Sequence, residues 1–300
     1  MAPRRRHALA EILLWLVPAV WSSNYLIARA AAPAVPPHLL AFGRWLIVVA
    51  VLLAWRGPAI WRQRRVIRRE AGRLFVLGAL GMWICGAWVY LGGRSTSATN
   101  IGLIYAIAPI GIAVGGAWLL RERLVGRQVF AMGSALLGVL VVVSRGDLAV
   151  AARLHFAVGD LWIVGATASW IAYSLLLRQW KTELAAVDRL CASAFGGLLI
   201  LAPFAAFEWW SGGPIAPQAY AWIVVAGLLP GLASYLAYSF MQAELGVARA
   251  ALVMYLAPIY AALLAWLLLH EQPQWFHLLG AALIAPGIRY SAPPSTALTT

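Results

Sequence analysis

Two stretches of this sequence, ATNIGLIYAIAPIGIAVGGAWLLRE at 98–122 and VARAALVMYLAPIYAALLAWLLLHE at 247–271, echo one another. At a common offset Ala108-Pro109-Ile110 falls on Ala257-Pro258-Ile259, Leu119-Leu120 on Leu268-Leu269, and Glu122 on Glu271. Leucine matches between apolar helices come cheaply. A proline in mid-segment and a glutamate at the segment end, both at one offset, do not. Each stretch also carries an apolar run near the ~20 residues that cross a hydrocarbon core of ~30 Å.

Working outward from this pair, comparable apolar blocks occupy 8–28, 38–55, 74–91, 99–120 and 128–144, then 158–177, 190–207, 220–241, 250–269 and 275–290. Ten spans are the expectation. The fifth and tenth blocks are the shortest, so nine or eight is the alternative count. The runs are helical in length, since barrel strands alternate polar and apolar residues over ~10 positions. Composition agrees: 63% of residues are hydrophobic, 11% are charged, and mean hydropathy is +0.81. A soluble domain runs ~25% charged. The first block, behind Arg4, Arg5 and Arg6 and ahead of Ala30-Ala31-Ala32, has the outline of a signal peptide. Nine further apolar blocks make it a first span instead. Cys85 and Cys191 lie inside spans and read as small apolar residues, with no disulfide or metal framework. The polar tail 291–300 is expected to be disordered.

The net charge of +13 would suit nucleic acid, but its distribution points elsewhere. With the N-terminus placed in the cytoplasm and sides alternating, eighteen of the 23 basic residues fall on the inner side, in 4–6, 56–73, 121–127, 178–189, Arg249 and Arg289. Only Arg94, Arg145 and Arg153 fall outside. That is the asymmetry the positive-inside rule requires. The run 62–73 then lies against anionic lipid, and no nucleic-acid partner is expected.

Equivalent positions of the repeat are five spans apart, an odd number, so the two halves have opposite orientation. Inverted repeats mark secondary transporters, whose substrate site lies near the midplane between halves. Pro109 and Pro258 each leave a carbonyl four residues earlier unpaired, those of Tyr105 and Met254. Two readings stay open for each proline: a kink that aids packing, and a hinge or binding carbonyl.

The ordered set of segments resembles the EamA branch of the drug/metabolite transporter superfamily. The opening Val20-Trp21-Ser22-Ser23-Asn24-Tyr25 is similar to that family's first span, with Ser22 where glycine is usual. The run 105–122 with its Arg121-Glu122-Arg123-Leu124 end, Gly159-Asp160-Leu161 with Ala168-Ser169-Trp170-Ile171-Ala172-Tyr173-Ser174, and the run 246–271 match in turn. The resemblance implies an all-α membrane protein of ten transmembrane helices in two inverted five-helix repeats, 1–145 and 156–290. It implies both termini in the cytoplasm, multi-pass in a bacterial inner membrane, no cofactor, and a cavity lined by spans one, three, four, six, eight and nine. The tryptophan load, sixteen residues, is most like the YddG-type aromatic amino-acid exporters.

Most of those indoles fall at span ends, where they sit at headgroups. Trp21, Trp83, Trp88, Tyr105, Trp170, Tyr173, Tyr235, Tyr238, Tyr255 and Tyr260 do not. Their N–H and O–H groups need partners that mid-depth lipid lacks, so they face the bundle interior or a cavity. Asn24, Tyr105, Trp170, Tyr173 and Tyr238 are the expected substrate-binding set, with Pro109 and Pro258 as hinges. Arg44, six residues into the second block, is a charge inside a span. Two roles stay open for it, bracing of helix ends and ligand binding.

No span carries an acid near its middle. Glu11 is at the inner end of the first, about 10 Å from its centre by helical rise. Asp160 is a first-turn acid, and Glu122 and Glu271 are expected to pair with neighbours, Arg121 and Arg123 or His270 and His277. The function expected is alternating-access export of amino acids with apolar or aromatic side chains, without ion coupling. The alternative is a proton-coupled drug or metabolite exporter. An intramembrane enzyme would need nucleophile–base or metal clusters that no span holds, and a scaffold would show no inverted repeat. The expected partners are a small-molecule substrate and the lipid bilayer, for a monomer or weak homodimer.

Overall fold

A computed structural model describes the protein except residues 1, 2, 32, 97–100, 102, 103, 148–156, 213, 214, 270, 271, 273 and 291–300. The expected disordered tail, and the pairing expected of Glu271 with His270, thus lie outside the described residues. Among the described residues the structure is helical, with no strand. The elements are α1 (Pro3–Ala31), α2 (Pro37–Arg62), α3 (Arg64–Arg69), α4 (Ala71–Gly92), α5 (Ala108–Leu119), α6 (Gly126–Val143), α7 (Val158–Gln179), α8 (Ala186–Gly212), α9 (Pro217–Leu245), α10 (Val247–Ala251), α11 (Ala257–Leu269) and α12 (Trp275–Tyr290). Six of them, α2, α4, α6, α7, α8 and α9, are long and apolar enough to cross a membrane. Shorter apolar helices run over Ala108–Leu119, Val247–Tyr260 and Trp275–Ala285.

The outside of the bundle is apolar. Trp118, Phe130, Phe207, Trp210 and Leu278 are all exposed, a surface for lipid in place of water. Inside, small residues let backbones approach. A Cβ on Gly138 of α6 would come 2.7 Å from the Gly280 carbonyl of α12, and Ser134 donates to the Leu283 carbonyl at 2.8 Å. A Cβ on Gly78 would strike the Ser193 carbonyl of α8, and one on Gly227 of α9 would lie 3.0 Å from the Arg44 carbonyl of α2.

Two features depart from simple spans. First, α4 and α9 each contain a wide π-type turn, at Ala79–Ile84 and Gly227–Ala233, the second holding Pro230. Second, the block expected as one helix over 99–120 is interrupted at Ala106–Ile107, and α5 begins at Ala108. The ninth block likewise passes through a 3₁₀ turn, Leu252–Leu256, before α11. Pro109 and Pro258 are therefore second residues of new helices, where an absent N–H costs nothing, and not mid-helix kinks.

Ion pairs concentrate at the end of the bundle that carries the arginines. Arg56 and Gln63 of α2 hold the buried Asp188 of α8, with Arg56 bidentate at 3.0 Å. Arg249 of α10 grips Glu11 of α1 at 2.5 and 2.8 Å, and Arg6 holds Glu244 at 2.6 Å. Glu122 is 3.9 Å from Arg178 of α7. The expected local pairing with Arg121 and Arg123 is replaced because the chain turns there with Arg121 at φ 55°.

Candidate functional site

Backbone irregularity in the middle of the bundle creates polar groups that lipid cannot satisfy. The π-turn of α4 offers three carbonyls, and three other helices answer. Ser169 of α7 donates to Leu80 at 2.8 Å, Tyr235 of α9 to Gly81 at 2.8 Å, and the Trp45 indole of α2 to Met82 at 3.1 Å. The π-turn of α9 has its own partner, since Arg44 donates to the Pro230 carbonyl at 2.9 Å. Ser22 of α1, fully buried, donates to Pro18 at 2.7 Å and to Ala257, at the start of α11, at 2.9 Å. The serine that stands in place of glycine thus ties α1 to the helix break before Pro258.

These irregular segments enclose a cavity of about 80 Å³ lined by residues of α1, α2, α4, α7 and α9, by Tyr105, and by Met254 and Ala257. Small-molecule sites commonly hold ~300–1,000 Å³, so the cavity is narrow for a solute in this state. Trp21, Asn24, Arg44, Cys85, Trp170 and Tyr235 carry the side chains that matter chemically. Asn24 accepts from the Tyr90 hydroxyl at 2.8 Å, which leaves its NH₂ as the group on offer.

Arg44 is 4% exposed. Its partners are the Pro230 carbonyl, the Tyr90 hydroxyl at 3.3 Å and the Asn24 oxygen at 3.5 Å, with the Trp45 and Tyr235 rings at 5.0 and 5.9 Å. All are neutral. Among the described residues no carboxylate pairs with it.

Toward the arginine-rich end the cavity meets an aromatic floor. Trp170 lies 5.3 Å from Trp21, 5.4 Å from Tyr173, 5.6 Å from Tyr235 and 5.0 Å from Tyr238, edge-on, stacked or tilted. Tyr173 packs onto Gly81, where a Cβ would sit 2.8 Å from its ring. Tyr238 donates to the Ser174 hydroxyl at 3.1 Å and Gln242 to the Ser174 carbonyl at 3.3 Å. Below this come the Arg249–Glu11 and Arg6–Glu244 pairs.

Of the residues singled out in the sequence, Asn24, Tyr105 and Trp170 line the cavity. Tyr173 and Tyr238, each 1% exposed, lie in the floor beneath it. Pro109 and Pro258 stand one residue beyond the two helix breaks and do not line it. Arg44, Cys85, Gly86 and Met254 belong to the wall and were outside the expected binding set. For Arg44 the signal was present, as a charge inside a span. For Met254 the signal was its carbonyl, four residues before Pro258; for Gly86 there was none, because apolar residues on apolar helices look alike whichever way they face. No group of three or more His, Cys, Asp or Glu side chains among the described residues is placed to hold a metal.

The profile of the EamA-like transporter family matches residues 8–144 and again 157–291. An "Uncharacterized transporter" of Archaeoglobus fulgidus is 24% identical over 290 residues, covering 93% of this chain and 95% of its own. A "Probable terminal-alkyne amino-acid exporter" of Streptantibioticus cattleyicolor is 27% identical over 222 residues, 73% of this chain and 72% of its own. An "S-adenosylmethionine/S-adenosylhomocysteine transporter" of Chlamydia muridarum is 23% identical over 276 residues, 88% and 85% respectively. A solved crystal structure superposes with a TM-score of 0.75 at 22% identity, covering 95% of this chain and 96% of its own, a likeness of fold.

Proposed function

We propose, from the premise that this chain belongs to the EamA-like transporter family, that it moves amino acids with apolar or aromatic side chains across a bacterial inner membrane by alternating access, without ion coupling. The observation that carries the reading is the central cavity, with Trp21, Tyr105, Trp170 and Tyr235 as aromatic wall and Asn24 and Arg44 as polar wall. Aromatic faces receive an apolar side chain and attract an ammonium by about 0.5–2 kcal/mol per ring. The resemblance to YddG-type aromatic amino-acid exporters supports this reading, and the amino-acid exporter among the relatives points to the same solute class.

The architecture proposed is ten spans in two inverted halves, 1–145 and 156–290, with both termini in the cytoplasm. Structural echoes support it. The π-turns of α4 and α9, the breaks before Ala108 and Ala257, and the close contacts Gly78–Ser193 and Gly227–Arg44 recur at nearly one offset along the chain. The matched profile recurs likewise. Among the described residues, five ion pairs join the proposed halves at the arginine-rich end: Arg6–Glu244, Arg249–Glu11, Arg56–Asp188, Arg69–Glu183 and Arg178–Glu122. At the far end the halves are joined by His38–Glu208 and by Thr96 on Asp160. The asymmetry suits a state shut toward the cytoplasm, and rocking about Pro109 and Pro258 would reverse it.

The test is transport of a labelled amino-acid panel into proteoliposomes by the wild type and by single variants Trp170→Ala, Tyr173→Ala and Tyr238→Ala. At least one apolar amino acid should move, with the rate falling about tenfold or more at Trp170, in line with ~0.5–1.5 kcal/mol for each aromatic pair it makes. Unchanged transport in all three variants at equal expression would place the site elsewhere.

A further inference from the structure

Arg44 presents an unsolved problem of charge. It lies seven residues past the start of α2, about 10 Å into the helix by rise, and it is fully ionised at any pH the cell meets. A charge so placed ordinarily pairs with an opposite one. Here its acceptors are a backbone carbonyl, a phenol and an amide oxygen, and the two rings beside it are also uncharged. Nine of the ten acidic residues are described, and every one is engaged elsewhere or distant: none forms an ion pair with Arg44.

The polar atoms left without a partner in the cavity-lining residues are donors. Arg44 Nε and Trp170 Nε1 are buried and have no acceptor among the described residues. The Asn24 oxygen is taken by Tyr90, so this side chain too has N–H to give. A wall that carries a positive charge and N–H donors is complementary to a group that is negative and accepts only. A carboxylate meets both conditions. An ammonium meets neither, and finds its favourable surface on the aromatic faces.

We infer that Arg44 is the specificity-determining residue of the cavity, the counter-charge for a substrate carboxylate, with Trp170 Nε1 and the Asn24 NH₂ as auxiliary donors. This rests on the proposed transport of apolar amino acids and adds the recognition of one end of them. It predicts a ranking by headgroup. Solutes with a carboxylate and an apolar body bind, with or without an amine, and the matching amines and amides do not.

The measurement is competition against exchange of labelled L-phenylalanine in proteoliposomes holding the full chain. Unlabelled L-phenylalanine and 3-phenylpropionate should compete within about tenfold of each other. Phenylalaninamide and phenethylamine should be roughly 30-fold or more weaker, the range expected for lost hydrogen bonds to a charged donor. In Arg44→Gln the ratio between 3-phenylpropionate and phenethylamine should collapse toward one, with partial recovery in Arg44→Lys. A purely bracing arginine would lower exchange of every probe and leave that ratio intact. If Arg44→Gln does not fold, the wild-type ranking decides alone. Amide and amine competing as well as the amino acid would overturn the inference while leaving the transport reading standing. No exchange of phenylalanine at all, with leucine and tryptophan also inert, would overturn both.

Discussion

Glu11 and Arg249 form one of the ion pairs that join the two proposed halves at the arginine-rich end. Arg249 is 4% exposed and bidentate to Glu11, which keeps 31% of its side chain exposed. Removing one member of a buried pair costs about 3–5 kcal/mol, because the other charge is left alone, and partial exposure of Glu11 puts this pair at the low end. Glu11→Gln should therefore loosen α1 from α10. The cavity residue Cys85 should then become labelled by a membrane-impermeant maleimide applied to the arginine-rich side, in a Cys191→Ser background. The charge-swapped pair Glu11→Arg, Arg249→Glu should restore protection. Equal labelling in all three proteins would show that this pair does not hold the gate. From sequence alone Glu11 read as an acid at a helix mouth. Its partner, 238 residues away, could not be read because no local pattern links them.

At the scale of elements, the apolar blocks placed the helices well because their length and hydropathy are dictated by the bilayer. The irregularities inside them were not legible. A π-turn leaves no composition signature beyond glycines such as Gly78, Gly81, Gly227 and Gly231, which equally suit close packing. Pro109 and Pro258 were legible as breaks in hydrogen bonding. That the chain would end one helix and start another, and not bend a continuous one, was not legible; at Pro258 the break is met from outside the segment by Ser22, which donates to the Ala257 carbonyl. Close packing makes its own prediction. Gly138→Val in α6 would push a side chain into the Gly280 carbonyl and Ile284 of α12, each 2.7 Å from the added Cβ. Overpacking of this kind costs about 1–3 kcal/mol. Gly133→Val, on the same helix with open space around it, should change little. Thermal unfolding in detergent micelles separates the two, and equal losses would contradict the proximity of α6 and α12.

For the molecule as a whole, the repeat at 98–122 and 247–271 gave the first sign of transport, and the family to which the chain belongs is one of transporters. The part of the candidate cavity lining that was legible, Asn24, Tyr105 and Trp170, consists of polar or aromatic residues whose place in a span needs a reason. The part that was not, Tyr173 and Tyr238 as floor in place of wall, turns on helix rotation, which a single sequence leaves open. Coupling belongs to the same scale. Of the described acids, Asp188 and Asp160 are buried, but each lies in a first helical turn, and Glu11 is held by Arg249. None of the described acids lines the cavity.

Passive movement of an amino acid through the Arg44–Trp170 cavity would show itself in counterflow. Proteoliposomes loaded with unlabelled L-phenylalanine, at equal pH and sodium on both sides and with ionophores present, are diluted into a trace of labelled L-phenylalanine. Passive movement predicts transient accumulation of label above equilibrium, absent from empty liposomes and reduced about tenfold or more in Trp170→Ala. Accumulation that appears only when a proton or sodium gradient is imposed would contradict it.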